Sequence, residues 1–151
     1  MGRESGHLAL HSGLASGAET ILVPEIPFNI DDVCKKIIHG FERGKLHSII
    51  MVAEGAASGI DIGHKIKDKI GMESRVIILG HLQRGGMPTA KDRILASRFG
   101  GEAVELLKNK NKNKMIGFVK GEMVLTDIEK IHSTTKPLDM DIFELADILS
   151  V

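Results

Sequence analysis

Four apolar residues in a row, Val76-Ile77-Ile78-Leu79, run directly into Gly80-His81-Leu82-Gln83-Arg84-Gly85-Gly86, and this junction constrains the chain more than any other stretch. An unbroken apolar run bounded by glycine and charge reads as a buried strand of a parallel sheet. Open α/β sheets bind ligands at the carboxyl ends of their strands, so His81, Arg84 and the glycine pair would face an anion there. The competing reading is a strand-to-helix loop whose glycines serve backbone shape alone.

Related units recur along the chain. Residues 7–16 read as a tightly packed helix ended near Gly17, and Glu19-Thr20-Ile21-Leu22-Val23-Pro24 as a short buried strand closed by Pro24. Asn29 to Asp32 offers a capping-box-like start to a helix with Val33, Ile37, Ile38 and Phe41 on one face, ended by Gly44. His47 to Ala53 reads as the next buried strand. Ile62, Ile66 and Ile70 mark a helix ended by Gly71, and Pro88 to Asp92 starts a long helix through Leu95, Phe99, Ala103 and Leu106. Met115 to Asp127 reads as a hairpin turning at Lys120-Gly121, and a last amphipathic helix covers Ile142 to Leu149. Strands alternating with helices predict an α/β fold: a doubly wound, mostly parallel sheet with helices on both faces. At 151 residues, with no internal repeat or linker, the chain is expected to form one domain.

Composition narrows the function. Twenty basic side chains balance twenty acidic ones, which leaves no global field for nucleic acid or a membrane surface, so an anion site must be local. Lys108 to Lys114 alternates Lys and Asn, yet it is short and lacks aromatics, and reads as a solvated turn rather than a nucleic-acid patch. A single cysteine, Cys34, excludes an internal disulfide and a zinc pattern and suits a reducing cytosol. No apolar run approaches the ~20 residues that cross a bilayer, and the first residues lack the apolar core of a signal peptide. With no Trp or Tyr, the core must be aliphatic.

The candidate site residues fall into two groups. Arg3 sits beside flexible backbone, either as a ligand cation or as an incidental surface arginine. Glu54 follows a strand, where a carboxylate holds substrate hydroxyls or a metal, or else caps the next helix. His81 and Arg84 suit a phosphate, the arginine as a planar fork and the histidine as a shorter donor. Arg75 lies at the opposite end of the same predicted strand, and a site shared across a symmetric interface would reconcile the three. The second group, Gly17, Ala18, Glu19, Arg43, Lys45 and His47, gathers at the amino ends of strands. It reads as a separate anion site or as cations meeting helix C-termini. His7, His11 and His39 have no partners at metal-ligand spacing.

Taken together, Met1-Gly2-Arg3, Val23-Pro24-Glu25, Glu54 and Leu79-Gly80-His81-Leu82-Gln83-Arg84-Gly85-Gly86, followed by Asp92-Arg93-Ile94-Leu95-Ala96-Ser97-Arg98, resemble the C-terminal half of bacterial ATP-dependent 6-phosphofructokinase. The resemblance runs from Met1 to near Val151. It implies a cytoplasmic glycolytic kinase, a homotetramer, that moves the γ-phosphoryl of ATP to the 1-hydroxyl of fructose 6-phosphate. By the same resemblance Met1, Gly2 and Arg3 contact the sugar phosphate, with Arg3 also stabilising the transferring group. Glu54 holds sugar hydroxyls, and His81 and Arg84 bind the 6-phosphate with Arg75 of a neighbouring subunit. Gly17, Ala18, Glu19, Arg43, Lys45, Leu46 and His47 match an allosteric pocket for ADP or GDP as activator and phosphoenolpyruvate as inhibitor. Leu46 stands where the family is often basic. The family's chain is about twice as long, and its other half comes first, carrying the ATP loop, the Mg2+ site and the catalytic base. Gly85-Gly86 is no P-loop, since no Gly-Lys-Ser/Thr follows. This stretch alone is therefore expected to bind fructose 6-phosphate without catalysing, with a stand-alone sugar-phosphate or nucleotide sensor as the alternative.

Overall fold

Alternation along a three-residue strand organises the larger part of the molecule. In the computed structural model, which describes residues 3–110, 112–133 and 135–150, β1 (Thr20–Leu22) is buried throughout. It pairs in parallel with β2 (Ile50–Val52), in the register Thr20 with Ile50, Ile21 with Met51 and Leu22 with Val52. Successive side chains of a strand point to opposite faces. Accordingly Ile21 and Val23 join Ala9 and Leu10 of α1 (His7–Ser16) and Ala146 of the last helix (Met140–Leu149) in one core. Leu22 joins a second core with Val33, Cys34 and Ile37 of α2 (Ile30–Glu42) and Ile62 and Ile66 of α3 (Gly59–Ile70). Helices therefore cover both faces of a parallel pair, the expected α/β class.

Local chemistry sets the helix limits. The Asn29 side chain accepts from the Asp31 N–H at 2.9 Å and starts α2. Gly17 and Gly71 end α1 and α3 at φ of 70° and 71°, a left-handed conformation that glycine adopts without a Cβ clash.

The chain divides into two compact units, Met1–Arg84 with Leu138–Val151, and Gly85–Pro137. In the second, Thr89 and Asp92 form a reciprocal capping box at the start of α4 (Ala90–Lys108). The predicted hairpin is present as β3 (Lys114–Val119) and β4 (Glu122–Asp127), antiparallel and turning through Lys120-Gly121 with φ of 50° and 92°. The Arg98 guanidinium stacks 4.8 Å above the Phe118 ring. A one-turn helix, α5 (Ile128–His132), follows the hairpin and was not anticipated; Met140–Leu149 is α6.

One prediction is overturned. Val76–Leu79 is neither a strand nor buried: it is irregular backbone, with Ile77 and Ile78 exposed at 69% and 74%. Val76 does reach α3, since its methyls lie against Gly59 and Gly63. No described strand lies beside the run, however, and apolar residues without a ladder partner cannot form a strand. The predicted strand His47–Ala53 is regular only over Ile50–Val52.

Candidate functional site

The two ends of the β1–β2 pair carry the two groups of candidate residues. At the carboxyl end the Ala53 N–H donates to the Leu22 carbonyl at 2.9 Å, and the chain turns through Glu54-Gly55 into α3. Here the structure brings Arg3 to Glu54, with Nε 3.6 Å from Oε1. Two attachments hold this corner. The Arg3 carbonyl lies so close to Gly55 that any side chain at that position would collide with it. The Glu25 carboxylate accepts the Gly6 N–H through both oxygens, at 2.8 and 3.0 Å, just ahead of α1. Glu25 is a positioning residue that reasoning from side-chain chemistry passed over; its only signal is an acid directly after the strand-closing Pro24.

Both partners of the Arg3–Glu54 pair are mostly exposed, 83% and 66%, so the pair contributes little to stability. Chemically it offers a carboxylate that accepts from hydroxyls beside a guanidinium that donates to an anion. Glu54 and Arg75 line one groove together with Leu79 and Gly80. His81 and Arg84 stand on an exposed 3-10 helix, Gly80–Arg84, which opens on the left-handed Gly80 and is followed by the left-handed Gly85. Met1 and Gly2 lie outside the described residues.

At the amino end Glu19 precedes β1 and accepts from the Ser48 hydroxyl at 3.0 Å and the Ile49 N–H at 2.5 Å. Lys45 Nζ lies 3.8 Å from Glu19 Oε1 and donates to the Ser150 carbonyl at 2.9 Å. With His47 these groups line a cavity of about 20 Å³, room for about one water. Glu19, Lys45 and His47 thus converge, while the others do not. Gly17 caps α1, Ala18 is buried with its N–H on the Gly13 carbonyl, Arg43 caps α2, and Leu46 is 90% exposed. Ser48, Ser150 and Lys36, which lines the same cavity and pairs with Asp147, were missed. Ser150 and Asp147 arrive from over a hundred residues away on or just after α6, a proximity that no local pattern encodes.

Among the described residues, no group of three or more His, Cys, Asp or Glu is placed to hold a metal ion. Nor is any helix among them long and apolar enough to cross a membrane.

Comparison with known proteins decides the kinship. The sequence profile of the family described as phosphofructokinase matches residues 1–107. The chain belongs to the phosphofructokinase family. The ATP-dependent 6-phosphofructokinase of Halothermothrix orenii is 53% identical over 163 aligned residues, covering 100% of this chain and 49% of that protein. That of Alkaliphilus metalliredigens is 47% identical, covering 100% and 47%. The chain therefore spans about half the length of these relatives. The crystal structure of Pichia pastoris phosphofructokinase in the T-state matches 97% of this chain and 17% of its own, with 32% identity and a TM-score of 0.74. Phosphofructokinase from Saccharomyces cerevisiae, at 23% identity and a TM-score of 0.81, shows the shared fold. In this phosphofructokinase chain, the Arg3–Glu54 corner and the Glu19–Lys45–His47 cluster occupy opposite ends of one parallel pair of strands.

Proposed function

We propose that this chain is the fructose 6-phosphate- and effector-binding half of an ATP-dependent 6-phosphofructokinase, a glycolytic, cytoplasmic phosphotransferase that acts as a homo-oligomer. The observation that carries the reading is the pairing of Arg3 with Glu54 at the carboxyl end of β2, in a chain 53% identical to such an enzyme. In this reading the sugar hydroxyls displace the Arg3 guanidinium from Glu54 and donate to its carboxylate. Arg3 then turns to the charge that develops on the phosphoryl group in transfer, where fixed cations lower the barrier. His81 and Arg84 hold the 6-phosphate from the exposed turn, and Arg75 serves the site of a neighbouring subunit. Met1 and Gly2 contribute backbone contacts to the sugar phosphate.

ATP and Mg2+ belong mainly to the half of the family's length that this chain lacks; bound there, they supply the phosphoryl group and screen its charge. Phosphoryl transfer also needs a residue that takes the hydroxyl proton, and that role too falls outside this chain, which alone binds without catalysing. At the other end of the sheet, Glu19, Lys45 and His47 form the floor of the effector pocket, joined by Gly17, Ala18, Arg43 and Leu46. A nucleoside diphosphate or phosphoenolpyruvate entering there replaces Glu19 as the partner of Lys45.

The test is reconstitution. Mixing the chain with a separately produced nucleotide-binding half of the Halothermothrix orenii enzyme, ATP, Mg2+ and fructose 6-phosphate should yield fructose 1,6-bisphosphate, while either part alone yields none. Absence of product at every ratio, with fructose 6-phosphate still bound by the chain, would favour a sugar-phosphate sensor instead.

A further inference from the structure

The cavity at the amino end of the β1–β2 pair is lined by Lys36, Lys45 and His47, yet at about 20 Å³ it has room for about one water. A phosphoryl group brings three or four oxygens, each about the size of a water, so an anion enters only if a wall gives way. The walls differ in how they are held. Glu19 is fixed by the Ser48 hydroxyl and the Ile49 N–H, and its own N–H donates to the Ile49 carbonyl at 3.0 Å. Ile37 of α2 belongs to the second core, and the Lys45 N–H donates to the Gly40 carbonyl at 3.0 Å. The remaining wall, Ser150, directly follows the last turn of α6. The body of that helix is packed through Ile142, Phe143 and Ala146, whereas Ile148 and Leu149 beyond them are mostly exposed. Helix ends with so little apolar cover open locally at low cost.

Two lysines of the cavity hold this turn in place. Lys36 donates to the Asp147 carboxylate, and Lys45 to the Ser150 carbonyl at 2.9 Å. Charge at the cavity is therefore balanced: Lys36 faces Asp147, and Lys45 faces Glu19. Cations already matched in this way leave no local field to draw an anion in. We infer that the last turn of α6 is a strap that occupies the cations of the effector pocket from within. The Asp147 carboxylate and the Ser150 carbonyl stand where an anion's oxygens would, and an incoming phosphoryl group displaces both. It then takes Lys36 as well as Lys45, which makes Lys36 a binding residue of that pocket. The side chains of Lys36 and Asp147 are 47% and 62% exposed, so their pairing is weak enough to exchange for a ligand. The strap thus sets the concentration at which an anionic effector binds.

The inference rests on the effector pocket proposed above, and one experiment separates the two. ADP, phosphoenolpyruvate and inorganic phosphate are each titrated calorimetrically into the full chain, Asp147→Asn, Lys36→Gln and the double variant. Both substituted side chains are exposed, so the fold should survive. Asp147→Asn releases Lys36 and should tighten binding about two- to fivefold, the worth of an exposed ion pair. Lys36→Gln releases the same turn but removes the cation, and should weaken binding roughly tenfold. The double variant should match Lys36→Gln, since no lysine is left to release. A turn that merely supports the fold would move both single variants in the same direction, and that result overturns the strap. Tightening by Asp147→Asn in the Lys36→Gln background overturns it as well, because Asp147 would then act only as a repelling charge. Equal affinities in all four proteins would overturn the strap and leave the effector pocket standing. The expected pattern with inorganic phosphate alone, without binding of ADP or phosphoenolpyruvate, would keep the strap and sink the effector reading. Binding of none of the three anions by any of the proteins would overturn both.

Discussion

β1 and the Val76–Leu79 run have nearly the same apolar character and opposite fates. Thr20, Ile21 and Leu22 are all buried, with Leu22 at 3%, whereas Ile78 is 74% exposed. Both runs lie next to α/β-type helices, and both are bounded by charge or glycine. What separates them is covering: β1 has a partner strand on one edge and helices on both faces, while Val76–Leu79 has no partner strand among the described residues and lays its Val76 methyls against Gly59 and Gly63 of α3. Apolar sequence thus supplies the capacity to be a strand, and neighbours decide whether it is used.

The contrast is broken or sharpened most strongly by core truncation. Leu22→Ala should destabilise the chain by about 2–5 kcal/mol, the range for a leucine lost from a packed core. Ile78→Ala should stay within about 0.5 kcal/mol, as exposed positions do. Urea unfolding of both variants measures this. Equal losses would mean that Val76–Leu79 is already packed in the isolated chain.

The same contrast explains what was legible in the sequence. Features fixed by local chemistry were readable: the Asn29 cap, the left-handed Gly17 and Gly71, the Lys120-Gly121 turn, and the periodic Ile62 and Ile66 on α3. Features that depend on distant or missing partners were not. Val76–Leu79 carries a strand's composition without a strand's neighbours, and the one-turn α5 has too little periodicity to be seen. At the candidate site, side-chain chemistry singled out Arg3 and Glu54 separately, the resemblance implied one ligand for both, and the fold sets them 3.6 Å apart. Glu25 and Ser150 act through backbone groups far along the chain, which residue type does not announce.

His81 and Arg84 extend the comparison to function, because they sit at the end of the unpaired run. His81→Ala and Arg84→Ala should each weaken fructose 6-phosphate binding by about 1.5–3 kcal/mol, the usual worth of a hydrogen bond to a charged group. Calorimetry on the reconstituted protein is the measurement, and unchanged affinity in both variants would remove the turn from the site. A smaller effect belongs to the cover over β1. Asn29→Ala deletes the α2 cap and should cost about 1 kcal/mol. Because Val33 and Ile37 of that helix pack on Leu22, hydrogen exchange should quicken at β1 and leave Val76–Leu79 as fast as before.

The smallest expected effect is electrostatic. Lys69 on α3 donates to Asp31 on α2 at 2.6 Å, joining the two helices that cover one face of β1. That hydrogen bond, reinforced by the charge of Lys69, holds the Asp31 carboxyl below its ordinary 3.8, and the same partnership raises Lys69 above its ordinary 10.5. The sign follows from which form the fold prefers. A carboxyl depressed in the folded state stabilises it above the ordinary value and stops doing so as pH falls through the folded one; a raised lysine stabilises below its ordinary value and stops as pH rises through the folded one. Asp31→Asn should therefore lower the melting temperature slightly between these limits, with the difference from the parent chain closing below pH 3.8 and again above 10.5. The pair is exposed, so 1 M salt, with a screening length of about 3 Å, should erase most of the difference. A pH-independent loss in Asp31→Asn would instead trace the effect to the helix start, where Asp31 also occupies the first turn of α2.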